Sequence, residues 1–213
     1  MRKLSVLLLA ILASLGFPRA GSPKMELSFK NPGYTGGTLK NILVLALNGK
    51  AANRAEFEDE LVAALNRPGV QAVQSYVFLP RPDATPIDIN DLKVVLRDQS
   101  FDGIVVARLT KADKSTVYVP GEVYTPLPYY GTFAGYYGVM YPVVYTPGYM
   151  QTVKTAQVET NSYFTSTATP DGVLVWTGTT NTFNANSAMK VIKDLVKLVV
   201  RELEKQQVIP PNS

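Results

Sequence analysis

Seven consecutive residues, Asn41 to Leu47 (NILVLAL), include six apolar side chains. A short continuous run of this kind, in a chain that alternates strand and helix signals, predicts a strand buried on both faces. Such a strand must be covered on each side. One mixed sheet with helices packed on it is the natural solution.

The rest of the pattern fits that solution. Asn53 is placed to cap a helix whose Phe57, Leu61, Val62 and Leu65 form one stripe opposite Glu56, Asp59 and Glu60, and Arg67-Pro68-Gly69 stops it. Val70 to Leu79 reads as a second strand. Pro80, Pro82 and Pro86 mark a loop, and Asp88 or Asn90 opens a second helix with Leu92, Val95 and Leu96 inward. Gly103 to Leu109 is a third strand running on toward Tyr118. Thr152 to Ala168 alternates like a half-exposed strand, Thr169-Pro170-Asp171-Gly172 supplies turn chemistry, and Val173 to Phe183 returns beside it. A last helix, from about Ser187 to Gln206, carries Val191, Ile192, Leu195, Val199 and Leu203 at core spacing. The expected fold is a single α/β domain over residues 40–208, in the order β-α-β-α-β-(insertion 118–150)-β-β-α. An extended segment, 23–39, precedes it and a short tail, 209–213, follows.

Residues 1–22 have the three-part pattern of a secretory signal peptide: Met1-Arg2-Lys3, an apolar or small run from Leu4 to Phe17, and small residues at Ala20 to Ser22. The run is shorter than the roughly 18 to 20 residues that cross a bilayer as a helix. Cleavage, export and a periplasmic location are expected. Removing residues 1–22 takes away Arg2, Lys3 and Arg19 and no acid, which lowers the formal charge from +4 to +1. That is too little for the electrostatic footprint of a nucleic-acid binder. The absence of cysteine leaves no site for lipid attachment through an N-terminal Cys and no disulfides.

With neither His nor Cys, the commonest neutral-pH acid/base, the usual zinc and copper ligands and the thiol nucleophile are missing. Three apparent motifs remain. Ser187-Ala188-Met189-Lys190 matches S-x-x-K, but Lys154-Thr155-Ala156 precedes it where K-T-G should follow, and no S-D-N lies between. Ser187 as an N-cap and Lys190 as a solvated residue is the better reading. Asn48-Gly49-Lys50 sits where a phosphate loop would, without the remainder of that motif. Glu122 and Glu159 are the carboxylates nearest a tyrosine-rich segment, and both read as solvated side chains rather than a glycosidase pair. Trp176 reads as a packing residue on the hairpin. No catalytic residue, metal site or cofactor is expected.

The tyrosine-rich segment, Tyr118 to Met150, holds nine of the twelve tyrosines, five prolines and five glycines, with Glu122 as its one charge. Tyrosine supplies rigid contact area with a polar tip, so this composition suits recognition better than chemistry. Tyr129, Tyr130, Phe133, Tyr136, Tyr137, Tyr141 and Tyr145 are the expected binding residues, facing a protein partner or a second copy. A segment folded back over its own sheet is the competing reading of the same composition. Peptidoglycan or another glycan, stacked on the tyrosine faces, is the alternative ligand, and an enzyme with an unfamiliar carboxylate or Lys/Ser site is a third reading.

The run DGVLVWTGTTNTFNANSAMKVIKDLVKLVV, residues 171–200, resembles the C-terminal part of an uncharacterised family of small bacterial envelope lipoproteins. FEDELVAALNRPGVQAVQSY (57–76), FDGIVVARL (101–109) and TVKTAQVETNSYF (152–164) resemble other parts of it, so the likeness spans most of residues 40–205. By order of elements alone, the chain also resembles the α/β domain of penicillin-binding-protein activator lipoproteins, the curli secretion lipoprotein and the N-terminal domain of the Tol-system propeller protein. The resemblance implies protein–protein work in the envelope, as an adaptor or assembly factor. Fold-level likeness does not transfer a function. One departure stands out: Ser14-Leu15-Gly16 is followed by Phe17, where such relatives often carry a lipidated Cys.

Overall fold

The computed structural model describes residues 23–48, 50–80, 82, 85–114, 131–140, 153–183 and 188–212. Six strands form one mixed sheet: β1 (Lys24–Lys30), β2 (Asn41–Ala46), β3 (Gln71–Gln74), β4 (Gly103–Lys114), β5 (Val153–Ser166) and β6 (Thr169–Phe183). Their spatial order is β1-β6-β5-β4-β2-β3. β2 pairs in parallel with β3 and β4, and every other pairing is antiparallel. Helices α1 (Ala51–Leu65), α2 (Ile89–Asp98), α3 (Phe133–Met140) and α4 (Ala188–Lys205) pack on it.

Burial of the NILVLAL strand divides the core in two. Ile42 and Val44 face α1 and α4 together with Leu61, Leu65, Leu195 and Val199. Leu43 and Leu45 face α2 and α3 with Leu92, Ile104, Phe133 and Tyr136. Both clusters are desolvated because strand neighbours alternate faces. Trp176 is fully buried on the α1/α4 side, in the packing role expected of it. Its Nε1–H donates to Ser28 Oγ at 3.0 Å, and Ser28 in turn donates to Glu202 of α4 at 2.8 Å. That chain fastens β1 to β6 and α4.

Four local expectations are corrected. Residues 24–30, expected as lead-in, form an edge strand paired with β6. α1 begins at Ala51 behind Lys50, without a side-chain cap, so Asn53 lies inside the helix. The strand expected over 70–79 ends at Gln74 and turns into a 3-10 helix, Ser75–Val77, because the Glu58 carboxylate takes the Ser75 N–H at 2.9 Å. The hairpin turns at Thr167–Ala168, two residues before the expected Thr169–Gly172, and Ser166 pairs with Thr169. Gly172 instead serves a bulge at φ +74°, where glycine is favoured. α2 starts as read, with Asp88 Oδ1 accepting the Asn90 N–H at 2.7 Å.

Candidate functional site

On the α2/α3 face, β4 and β5 bring Arg108 directly opposite Glu159. Period-2 alternation puts Glu159, Asn161 and Tyr163 of β5 on that one face. Arg108, Glu159 and Asn161 are all buried. Arg108 Nη2 lies 3.6 Å from Glu159 Oε2, and Asn161 Nδ2 donates to Glu159 Oε1 at 2.9 Å. The expectation of a solvated Glu159 is therefore corrected. A carboxylate can be buried at this depth because a guanidinium and two hydrogen-bond donors compensate it.

The second donor comes from the tyrosine-rich segment. Tyr136, on α3, donates its hydroxyl to Glu159 Oε1. Tyr137 donates to the Ile87 carbonyl at 2.5 Å. Phe133 packs between Tyr137 and Tyr163, with ring centroids 5.7 Å from each. Phe133 and Tyr136 are fully buried and Tyr137 nearly so. Three of the expected surface anchors are thus interior residues. The reason is helical spacing: positions 133, 136 and 137 stand at i, i+3 and i+4, which places all three rings on the face of α3 turned to the sheet. At Gly172 a Cβ would meet Phe133 Cβ at 2.8 Å, so the helix rests on a bare stretch of β6 backbone.

Burial pushes the Tyr136 hydroxyl well above its ordinary pKa, the Glu159 charge adds to that, and Arg108 opposes it. The phenol therefore stays protonated at neutral pH and serves as a fixed donor. Tyr129, Tyr130, Tyr141, Tyr145 and Glu122 lie outside the described residues, as does Ser187. Lys190 is exposed and pairs with Asp194, in keeping with a solvated surface residue. Asn48 clasps Leu109 from both sides, its Oδ1 accepting at 2.9 Å and its Nδ2 donating at 2.8 Å, which extends the β2–β4 pairing beyond the strand.

A second buried carboxylate is absent from the sequence reading. Glu58 of α1 is 2% exposed and accepts from the Ala46 N–H, the Ser75 N–H and the Ser75 hydroxyl, each near 2.9 Å. Its signal is an acid beside Phe57, one turn before Leu61 and Val62 on the inward stripe. An open groove of about 670 Å³ lies between α2 and the β5–β6 hairpin, walled by Val94, Phe101, Phe164 and Pro170 and rimmed by Lys93 and Arg97.

No family model matches the chain, and no curated protein does. Among solved structures it is similar to the PelC dodecamer from Paraburkholderia phytofirmans, at 10% identity over 87% of this chain and 97% of that one, with a TM-score of 0.45. It is also similar to lipoprotein GNA1162 from Neisseria meningitidis, at 14% identity over 78% and 99% of the two chains, with a TM-score of 0.38. A DUF4136 family protein from Bacteroides thetaiotaomicron is similar at 12% identity over 89% and 98%, with a TM-score of 0.36. Likenesses of this strength assign neither partner nor activity. Among the described residues no helix is long and apolar enough to cross a membrane.

Proposed function

We propose that this chain is a non-catalytic exported protein of the bacterial envelope, acting in the periplasm as an adaptor or assembly factor that binds a protein partner. The observation that supports this most is the state of Glu159. Its two oxygens are taken up by Arg108, Asn161 and Tyr136, and that tyrosine is held protonated. A carboxylate so enclosed is equipped to hold α3, not to exchange protons with a substrate. With Phe133, Tyr136 and Tyr137 spent on that docking, the contact residues proposed for the partner are Tyr129, Tyr130, Tyr141 and Tyr145.

Photo-crosslinking in living cells from probes at Tyr130 and at Tyr145 tests the reading. A discrete protein adduct from either position is the expected result. Absence of any adduct from both, with the probed proteins folded and exported, sinks it.

A further inference from the structure

We infer that α3 is a releasable latch: it lifts off the sheet as one unit while the strands beneath stay paired, and lifting hands Phe133, Tyr136 and Tyr137 to the partner. The hand-over rests on the reading above. The lifting itself does not.

Eight residues are too few for a helix that stands alone in water, and α3 carries Gly135 and Gly138 among them. Its fold therefore depends on its seat. That seat is unlike the one beneath α1 and α4, where Ile42, Val44, Ala46, Val105 and Ala107 present apolar side chains. Under α3, Tyr136 bonds Glu159 and packs against Tyr163 with ring centroids 6.0 Å apart. Asn161 stands between those two residues on the same face of β5, so it lies below the helix, with Arg108 opposite Glu159 on β4. Asn161 is fully buried and Arg108 nearly so.

Two polar atoms of the seat, Arg108 Nε and Asn161 Oδ1, are buried without a hydrogen-bond partner. Such an atom carries a desolvation penalty, and so does a buried ion pair. Water reaching the seat removes both penalties, which offsets part of the ring burial that lifting gives up. An apolar seat offers no such return. Nor does the sheet need the helix for its pairing. Val106, Ala107 and Arg108 face Asn161, Thr160 and Glu159 in unbroken register, and β6 continues the ladder on the other side of β5. The docked form thus hides three aromatic anchors behind a contact that opens without unfolding the domain. A partner that takes those anchors draws the equilibrium toward the lifted form.

The chain has no cysteine, so one introduced thiol reports on one place. Asn161→Cys puts it beneath α3. Ser162→Cys puts it on the opposite face of the same strand, where the Ser162 hydroxyl has no bond to lose. In the purified chain, the thiol of Asn161→Cys should be labelled at least roughly 100-fold faster than that of Ser162→Cys, and its rate should respond little to urea below the unfolding midpoint. Hydrogen exchange of the wild type guards against the cysteine having loosened the helix: α3 amides should exchange without those of β4 and β5. Equal labelling at the two positions, or α3 amides that exchange only together with β5, overturns the latch. Tyr136→Phe keeps the ring and drops its bond to Glu159, so it should speed α3 exchange about 30-fold and raise the adduct yield from a Tyr130 probe. Faster exchange with an unchanged yield overturns the hand-over. The absence of any adduct in either background removes the partner and the hand-over with it, while labelling of the purified chain still decides the lifting.

Discussion

Two of the buried carboxylates, Glu58 and Glu159, are held in opposite ways. Glu58 is satisfied mainly by backbone N–H groups at the ends of β2 and β3, along with the Ser75 hydroxyl. Glu159 is satisfied by side chains, one each from β4, β5 and α3. Backbone donors cannot turn away when their acceptor is lost, whereas a side chain can find water if its helix lifts. Glu58 therefore belongs to the integrity of the sheet, and Glu159 to the attachment of α3.

The largest expected effect follows from that difference. Glu58→Ala strands the Ala46 and Ser75 N–H groups in a dry site, at about 1–3 kcal/mol per buried donor, so a loss of about 4 kcal/mol is expected. Urea unfolding should show it as a fall in midpoint, with hydrogen exchange accelerated throughout β2 and β3. Unchanged exchange in those strands would break the contrast with Glu159.

Next comes Arg108→Met. It takes the guanidinium away from a buried carboxylate, at a cost of about 3 kcal/mol. Adding Glu159→Leu removes the uncompensated charge but orphans the buried Tyr136 hydroxyl and Asn161 amide, so only part of the loss should return. A double variant as unstable as the single one would mean that the pair itself, not the orphaned charge, carries the energy. Tyr136→Phe is smaller again: it keeps the ring contacts, removes one hydrogen bond to a carboxylate, and should cost about 2 kcal/mol. Here faster exchange should be confined to α3, with β4 and β5 unchanged.

How much of this was legible in the sequence differs by element. NILVLAL, the Asp88 cap and the β5–β6 pairing follow from local patterns, and the structure contains each. β1 carries its own period-2 signal in Met25, Leu27 and Phe29, but Gly, Pro and Lys around it hide the strand. A register shift between Met25 and Leu27 then sends those side chains to different faces, which alternation alone would not have foretold. α3 was concealed by composition. Five prolines and five glycines in the segment argue against helix, yet none of the prolines falls in the eight residues from Phe133 to Met140. Glu159 looked solvated because a lone acid usually is, Glu58 drew no reading at all, and only tertiary pairing shows what compensates them.

The smallest effect separates a third acid from both. Glu202 of α4 stands at the margin of the core, where the Gln206 side chain, one turn on, donates at 3.1 Å. That bond does most to hold its carboxyl below the ordinary value, Ser28 and Lys205 assist, and burial works against them. A carboxyl depressed in the folded state adds stability above its unfolded pKa and loses it as pH falls through the folded one. Gln206→Ala should therefore cost about 0.5 kcal/mol at neutral pH, the net worth of one such bond. The gap between variant and wild type should narrow in acid, once Glu202 is protonated in both. Thermal melts at about pH 7 and about pH 3 would show it. A gap of equal size at both would mean that Gln206 acts through packing, and that Glu202, like Glu58, answers to structure rather than to charge.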